Sequence, residues 1–279
     1  MDGPQEFYID LGHGRTFCEL DPEEDKPLIV CIHGWSTASY VWKGLRPKLR
    51  EKGYRVLSFD LYGRGKSSSP EIKHTTELFV DQLSQLLDAL NLGSQPFNVV
   101  GYSMGGAIGT SFVASRVDSV KRLLLIAPAG MVVRFPVLRL IARSVPFAFD
   151  PIIRASLPKA LEHQFKNAAK DYPHDVGVQQ VLASQLAELQ SKDYVEALLS
   201  SLKGALASPK REQHQLIAQS NVKMMAIFAD QDKTIPHPYA KLRFDNWNQQ
   251  EVSRVVEGAG HAVTYTHIAE IMNEIRGFL

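Results

Sequence analysis

Pro96-Phe97-Asn98-Val99-Val100-Gly101-Tyr102-Ser103-Met104-Gly105-Gly106-Ala107-Ile108 is the stretch that decides the reading. Its first five residues form a short apolar run of strand character. Gly106 to Ala114 is small and apolar and predicts a helix. A serine between two glycines at a strand-to-helix turn is the G-x-S-x-G elbow, which exposes a hydroxyl at the tip of a sharp bend. Gly101 and Gly105 are expected where a Cβ would collide with the neighbouring strand or helix. The new helix directs its unpaired N–H groups at the serine, where they favour negative charge.

Outward from the elbow, buried strands and helices alternate. Residues 6–10 and 16–20 read as a hairpin around Gly12-His13-Gly14. Pro27 to Ile32 and Tyr54 to Phe59 are apolar runs of strand length, with a helix from Val41 to Glu51 between them. Thr75 to Leu90 carries leucines at helical spacing, and Val120 to Ile126 is another strand. From Met131 to Asn221 no strand-like run occurs, only apolar residues at helical spacing interrupted by prolines. The rhythm resumes with a strand at Val222–Ala229, a helix at Pro238–Trp247, a strand at Val252–Val256 and a helix at Thr266–Phe278. This predicts an α/β fold, a mostly parallel sheet with helices on both faces, plus an all-helical cap insertion. The expected boundaries are 1–130 and 222–279 for the core and 131–221 for the cap.

Composition narrows the field. The 279 residues are 44% hydrophobic, enough for a large core, and the net charge of +1 gives no reason to expect nucleic acid as a partner. Cys18 and Cys31, the two cysteines, sit in strand-like runs and read as buried free thiols. No signal-peptide pattern and no membrane-spanning run is found, so a cytoplasmic protein is expected. H-E-x-x-H and C-x-x-C are absent, and Gly63-x-Gly65 lacks the third glycine of a dinucleotide loop, so neither a metal nor a cofactor is expected.

A serine needs a base, and the base needs an orienting acid. His261 in Gly258-Ala259-Gly260-His261 follows the last strand and is the candidate base, its two glycines freeing the backbone. His237 and His267 compete, but each starts a helix. Asp232 in Ala229-Asp230-Gln231-Asp232 is the candidate acid, chosen over Asp230 because it lies further into the loop. The oxyanion formed by attack on a carbonyl requires two donors. The N–H groups of Met104 and of Trp35, in His33-Gly34-Trp35, are placed to supply them.

His33-Gly34-Trp35, Asp60-x-x-Gly63-x-Gly65-x-Ser67, Gly101-x-Ser103-x-Gly105, Asp232 and His261, in that order, resemble the α/β-hydrolase superfamily in its serine-nucleophile branch. The resemblance implies Ser103 as nucleophile, Asp232 as acid, His261 as base, Trp35 and Met104 as oxyanion donors, and Asp60 and Gly63 as parts of a structural loop. Ala229 departs from the glycine that relatives often carry three residues before the acid. The Ser-Met-Gly-Gly elbow and Ala127-Pro128-Ala129-Gly130 are similar to carboxylesterases and monoacylglycerol-lipase-like members. The expected activity is hydrolysis of an apolar carboxylic ester or lipid. The alternatives are carbon–carbon hydrolysis of a diketone, acyl transfer or thioester cleavage, and a receptor with little turnover. The apolar, arginine-bearing stretch Val132 to Arg143 reads as a lid, with transient contact to a membrane surface as a second reading.

Overall fold

The computed structural model describes residues 3–131, 146–249 and 251–279, without the side chains of 146–150. Strands β1 (Gln5–Leu11), β2 (Gly14–Leu20), β3 (Leu28–Ile32), β4 (Arg55–Phe59), β5 (Phe97–Tyr102), β6 (Val120–Ile126), β7 (Lys223–Ala229) and β8 (Val252–Val256) form one sheet in the order β1-β2-β4-β3-β5-β6-β7-β8. β1 and β2 pair antiparallel, as do β2 and β4, and the remaining pairings are parallel. The sheet is therefore mostly parallel, with the hairpin at one edge.

Successive side chains of a strand point to opposite faces, and the core splits accordingly. Val30, Ile32, Val99, Leu123, Leu125, Met224, Ala226 and Phe228 face one hydrophobic cluster. Ile29, Cys31, Val100, Leu124, Ile126, Met225 and Ile227 face the other. Helices α2 (Thr76–Ala89) and α3 (Met104–Ser115) cover the first face. Helix α1 (Leu45–Glu51) and the C-terminal helices α9 (Val263–Thr266) and α10 (Ile268–Glu274) cover the second. Both cysteines are buried free thiols, and burial pushes the Cys31 thiol up to about 12.

Four helices lie between β6 and β7: α4 (Pro146–Ala169), α5 (Val176–Glu188), α6 (Lys192–Lys203) and α7 (Arg211–Ala218). Helix α8 (His237–Trp247) follows β7. Leu161, Phe165, Leu189, Tyr194 and Leu198 make a third apolar cluster, and Trp35 packs against it from the core. The expected lid stretch, Val132 to Arg143, lies outside the described residues. No described helix is long and apolar enough to cross a membrane.

Several expectations need correction. Pro151 and Pro158 do not break the chain but sit inside α4. An interior proline removes one helical hydrogen bond. Burial of Leu161, Phe165 and Ala169 in the second half of α4 compensates. The expected helix at Val41 divides into a 3-10 turn at Ser39–Trp42 and α1. Pro47 falls in the first turn of α1, where its missing N–H costs nothing. The final helix starts earlier than expected, at Val263, and breaks at His267, whose φ of −131° and ψ of 51° are not helical.

The last residue of α5 ties this segment to the core. The Glu188 carboxylate accepts hydrogen bonds from the Gly65 N–H and, at 2.6 Å, from the Tyr40 hydroxyl. Burial raises its pKa from 4.5 to about 7, and the two hydrogen bonds pull the other way. Between those values the folded protein holds a proton that the unfolded chain has lost. Stability therefore falls as pH rises through that window. Glu188→Gln removes the charge; its single oxygen still accepts from the Gly65 N–H, and its NH2 donates to the Tyr40 oxygen, which then no longer donates. In urea titrations the wild type should lose stability relative to this variant between about pH 5 and 7. A constant difference across that range would refute the assignment.

Candidate active site

The site is assembled where strands end. Ser103 follows β5 and has φ 53° and ψ −118°, a strained conformation outside the usual range of non-glycine residues. Its surroundings enforce that bend. A Cβ on Gly105 would lie 2.1 Å from the Ile32 carbonyl oxygen, and one on Gly101 would lie 2.5 Å from that of Gly105. The elbow backbone is pinned by Ser103 N–H to Ile126 O at 3.0 Å and Ala129 N–H to Ser103 O at 2.9 Å.

His261 reaches over this bend from the loop after β8. Its Nε2 lies 2.9 Å from Ser103 Oγ, and its Nδ1 lies 2.7 Å from Asp232 Oδ2. Asp232 is buried, and its other oxygen, Oδ1, accepts from the N–H groups of Thr234 at 2.7 Å and Ile235 at 2.8 Å. Those two bonds fix the carboxylate. With a carboxylate oxygen as the acceptor facing Nδ1, the proton resides there and Nε2 is left as the acceptor toward Ser103. Asp230, the alternative acid, instead accepts from the Gln231 side chain at 3.0 Å and has one buried oxygen without a partner. His237 and His267 are not within this chain of hydrogen bonds. His267 Nδ1 contacts Thr266 Oγ1 at 2.9 Å.

Only one of the two glycines before His261 is required. Gly258 has φ +74°, whereas Gly260 has an ordinary φ and no atom within 4 Å of an added Cβ. Tyr102, which the sequence reading passed over, does part of the positioning. Its hydroxyl donates to the His261 carbonyl at 2.9 Å, and its ring lies 5.5 Å from the imidazole. The available signal was its place immediately before the serine, where strand alternation sends it to the face that the His261 loop covers.

Met104 is the first residue of α3, so its N–H has no partner within the helix. The His33-Gly34-Trp35 turn comes close to the serine: a Cβ on Gly34 would sit 3.2 Å from Ser103 Cβ. His33 is a structural residue. It is fully buried, and its Nε2 accepts from Leu61 N–H at 2.9 Å, so Nδ1 carries the proton and donates to Gly34 O at 2.9 Å. Burial pushes its pKa down to about 3, which keeps it neutral. Asp60 holds the neighbouring loop by accepting from Ser39 N–H and Lys66 N–H, both at 2.8 Å. A cleft of about 450 Å3 at the seam between residues 69–74 and helices α4 and α6 is lined by none of these groups.

A family profile for the alpha/beta hydrolase fold matches residues 27–268. The chain belongs to the α/β-hydrolase family. It is 28% identical over 134 residues to a 2-hydroxy-6-oxo-6-(2'-aminophenyl)hexa-2,4-dienoic acid hydrolase of Metapseudomonas resinovorans, a match covering 47% of this chain and 41% of that protein. It is 30% identical over 108 residues to the monoacylglycerol lipase abhd6-B of Xenopus laevis, covering 38% of this chain and 32% of that protein. These matches span less than half of either relative. Among solved structures, a bromoperoxidase from Bacillus anthracis superposes with a TM-score of 0.79 at 21% identity, covering 98% of this chain and 99% of that one. That likeness shows the fold.

Gly105→Ala tests the elbow packing. Forcing a methyl into the Ile32 carbonyl requires the backbone to shift, and the loss should be about 1–3 kcal/mol in a denaturant titration. A variant as stable as wild type would mean the turn is looser than described.

Proposed function

We propose that this protein is a serine hydrolase that cleaves a carboxylic ester of apolar acyl character through an acyl-enzyme. The observation that carries the reading is the unbroken series from Ser103 Oγ to His261 Nε2 and from His261 Nδ1 to Asp232 Oδ2, at 2.9 and 2.7 Å. Ser103 Oγ attacks the carbonyl carbon while His261 Nε2 takes its proton. Asp232 keeps the imidazole in the needed tautomer and stabilises the imidazolium. The N–H groups of Met104 and Trp35 receive the developing oxyanion, where one such donor typically contributes about 3 kcal/mol to the transition state. Collapse expels the alcohol, which takes the proton from His261. A water molecule then repeats the sequence and releases the acid.

The apolar preference is supported by the setting of Trp35, which borders both the core and the cluster of Leu161, Phe165 and Leu198. In this reading residues 131–221, which include the helices between β6 and β7, form a cap that excludes water and selects the acyl group. Carbon–carbon hydrolysis of a dienoic diketone is the second reading, supported by the Metapseudomonas relative. The same three residues serve it.

Ester turnover should vanish in Ser103→Ala together with fluorophosphonate labelling of the protein. Asp232→Asn should lower kcat by about 10⁴, as a wrongly protonated imidazole does. Asp230→Asn should stay near wild type. Turnover surviving in Ser103→Ala, or lost only in Asp230→Asn, would overturn the scheme. A panel of p-nitrophenyl esters of graded chain length, run beside a 2-hydroxy-6-oxo-dienoate, separates the two readings.

A further inference from the structure

Arg64 is a buried cation with an unusual set of partners. It is 1% exposed, and no carboxylate hydrogen-bonds to it among the described residues, though the Glu188 carboxyl acts on it by charge. Each of its five N–H donors is nonetheless used. Nε donates to Trp35 O at 3.2 Å, and Nη1 donates to Tyr62 O at 2.9 Å and to His74 Nδ1 at 3.2 Å. Nη2 donates to Ala197 O at 3.4 Å and to the Ser201 hydroxyl. Burial lowers its pKa to about 10, so it stays charged near neutrality.

Trp35 meets the same helix by a second route. Its indole Nε1 donates to Leu198 O at 2.9 Å and to Ser201 Oγ at 3.1 Å. Ser201 is fully buried, and its own proton goes back to the α6 carbonyls of Ala197 or Leu198, at 2.8 and 3.0 Å. Its oxygen is thus the point where Arg64 and Trp35 converge. Contact between loop and helix is tight. A Cβ on Gly63 would lie 2.3 Å from Ala197 Cβ, and Ser200 Oγ accepts from His74 N–H at 2.9 Å.

We infer that helix α6 helps to position the second oxyanion donor: Ser201 and Arg64 are positioning residues that hold Trp35 by its indole and by its carbonyl, so that docking of α6 fixes the Trp35 end of the peptide unit whose N–H is that donor. The inference rests on the reading of Ser103 as nucleophile and Trp35 as donor. Its physical basis is that the Trp35 N–H belongs to the Gly34–Trp35 peptide unit. His33 Nδ1–H holds the Gly34 carbonyl at one end of that unit, at 2.9 Å, and Ser201 and Arg64 anchor Trp35 at the other, through its indole and through the carbonyl of the following unit. With both ends held, the N–H has one orientation left. An oxyanion donor must be fixed before charge develops. A helix from the segment between β6 and β7 therefore completes the site without supplying a group that touches substrate.

The test uses Ser201→Ala, which removes one oxygen and leaves the helix intact, and Trp35→Phe, which removes the indole N–H. Each should lower kcat on an ester by about ten-fold with KM within about two-fold, because the lost interaction acts only in the transition state. Affinity for an aryl trifluoromethyl ketone, which forms a tetrahedral oxyanion on serine, should fall by the same factor. The double variant should lose less than the product of the two single losses, since both act on the same anchorage of Trp35. Losses that multiply, a rise in KM at constant kcat, or unchanged ketone affinity would each overturn the inference. Ser103→Ala, run alongside, separates the two levels. If it is inactive while Ser201→Ala and Trp35→Phe match wild type, the inference alone fails. If it retains turnover, the reading of the nucleophile falls and the inference with it.

Discussion

The contact between Gly105 and the Ile32 carbonyl governs the rest of the site. β3 and β5 are parallel neighbours, so their C-terminal ends emerge side by side. For α3 to leave β5 at once and pack back on the sheet, its first turn must pass directly over the end of β3. Only a residue without a side chain fits at 105. That passage forces Ser103 into a positive φ, a conformation that costs about 1–3 kcal/mol and persists only where its surroundings fix it. The strain holds the hydroxyl outward, at the N-terminus of a helix and beside the His33-Gly34-Trp35 turn.

Around this bend the protein holds its buried polar groups in different ways. Asp232 is buried but accepts two backbone N–H groups as well as the imidazole, so its charge is compensated. His33, the first residue of the His33-Gly34-Trp35 turn, is kept neutral by burial and fixed in one tautomer by Leu61 N–H and Gly34 O. Arg64 is buried with a full set of neutral acceptors in place of an ion pair. Removing a single acceptor would leave a desolvated donor, which is costly in a low-dielectric interior. Such a group is suited to holding geometry.

The segment between β6 and β7 is joined to the core by polar contacts as well as apolar ones. Glu188 at the end of α5 reaches Gly65 and Tyr40, and Ser201 on α6 reaches Arg64 and Trp35. Apolar packing alone is non-directional. Hydrogen bonds with defined donors and acceptors add a fixed registration of these helices on the loops after β3 and β4, the first of which borders the serine.

Much of this could be read from the chain. Apolar runs of strand length alternating with helical periodicity determine a parallel sheet, because both faces must be covered. The glycines at 101 and 105 determine the elbow, because local geometry there admits nothing larger. The order of Ser103, Asp232 and His261 at strand ends followed from the same periodicity. What the sequence by itself did not decide was everything set by contacts between residues far apart in number. The choice of Asp232 over Asp230 depends on which carboxylate faces an imidazole 29 residues later. The passage of α4 through two prolines depends on burial of its second half. The work of Tyr102, Arg64 and Ser201 depends on hydrogen bonds to residues 159, 29 and 166 positions away. Local propensity carries no record of such pairings; they exist only once the sheet has brought its loops to one edge.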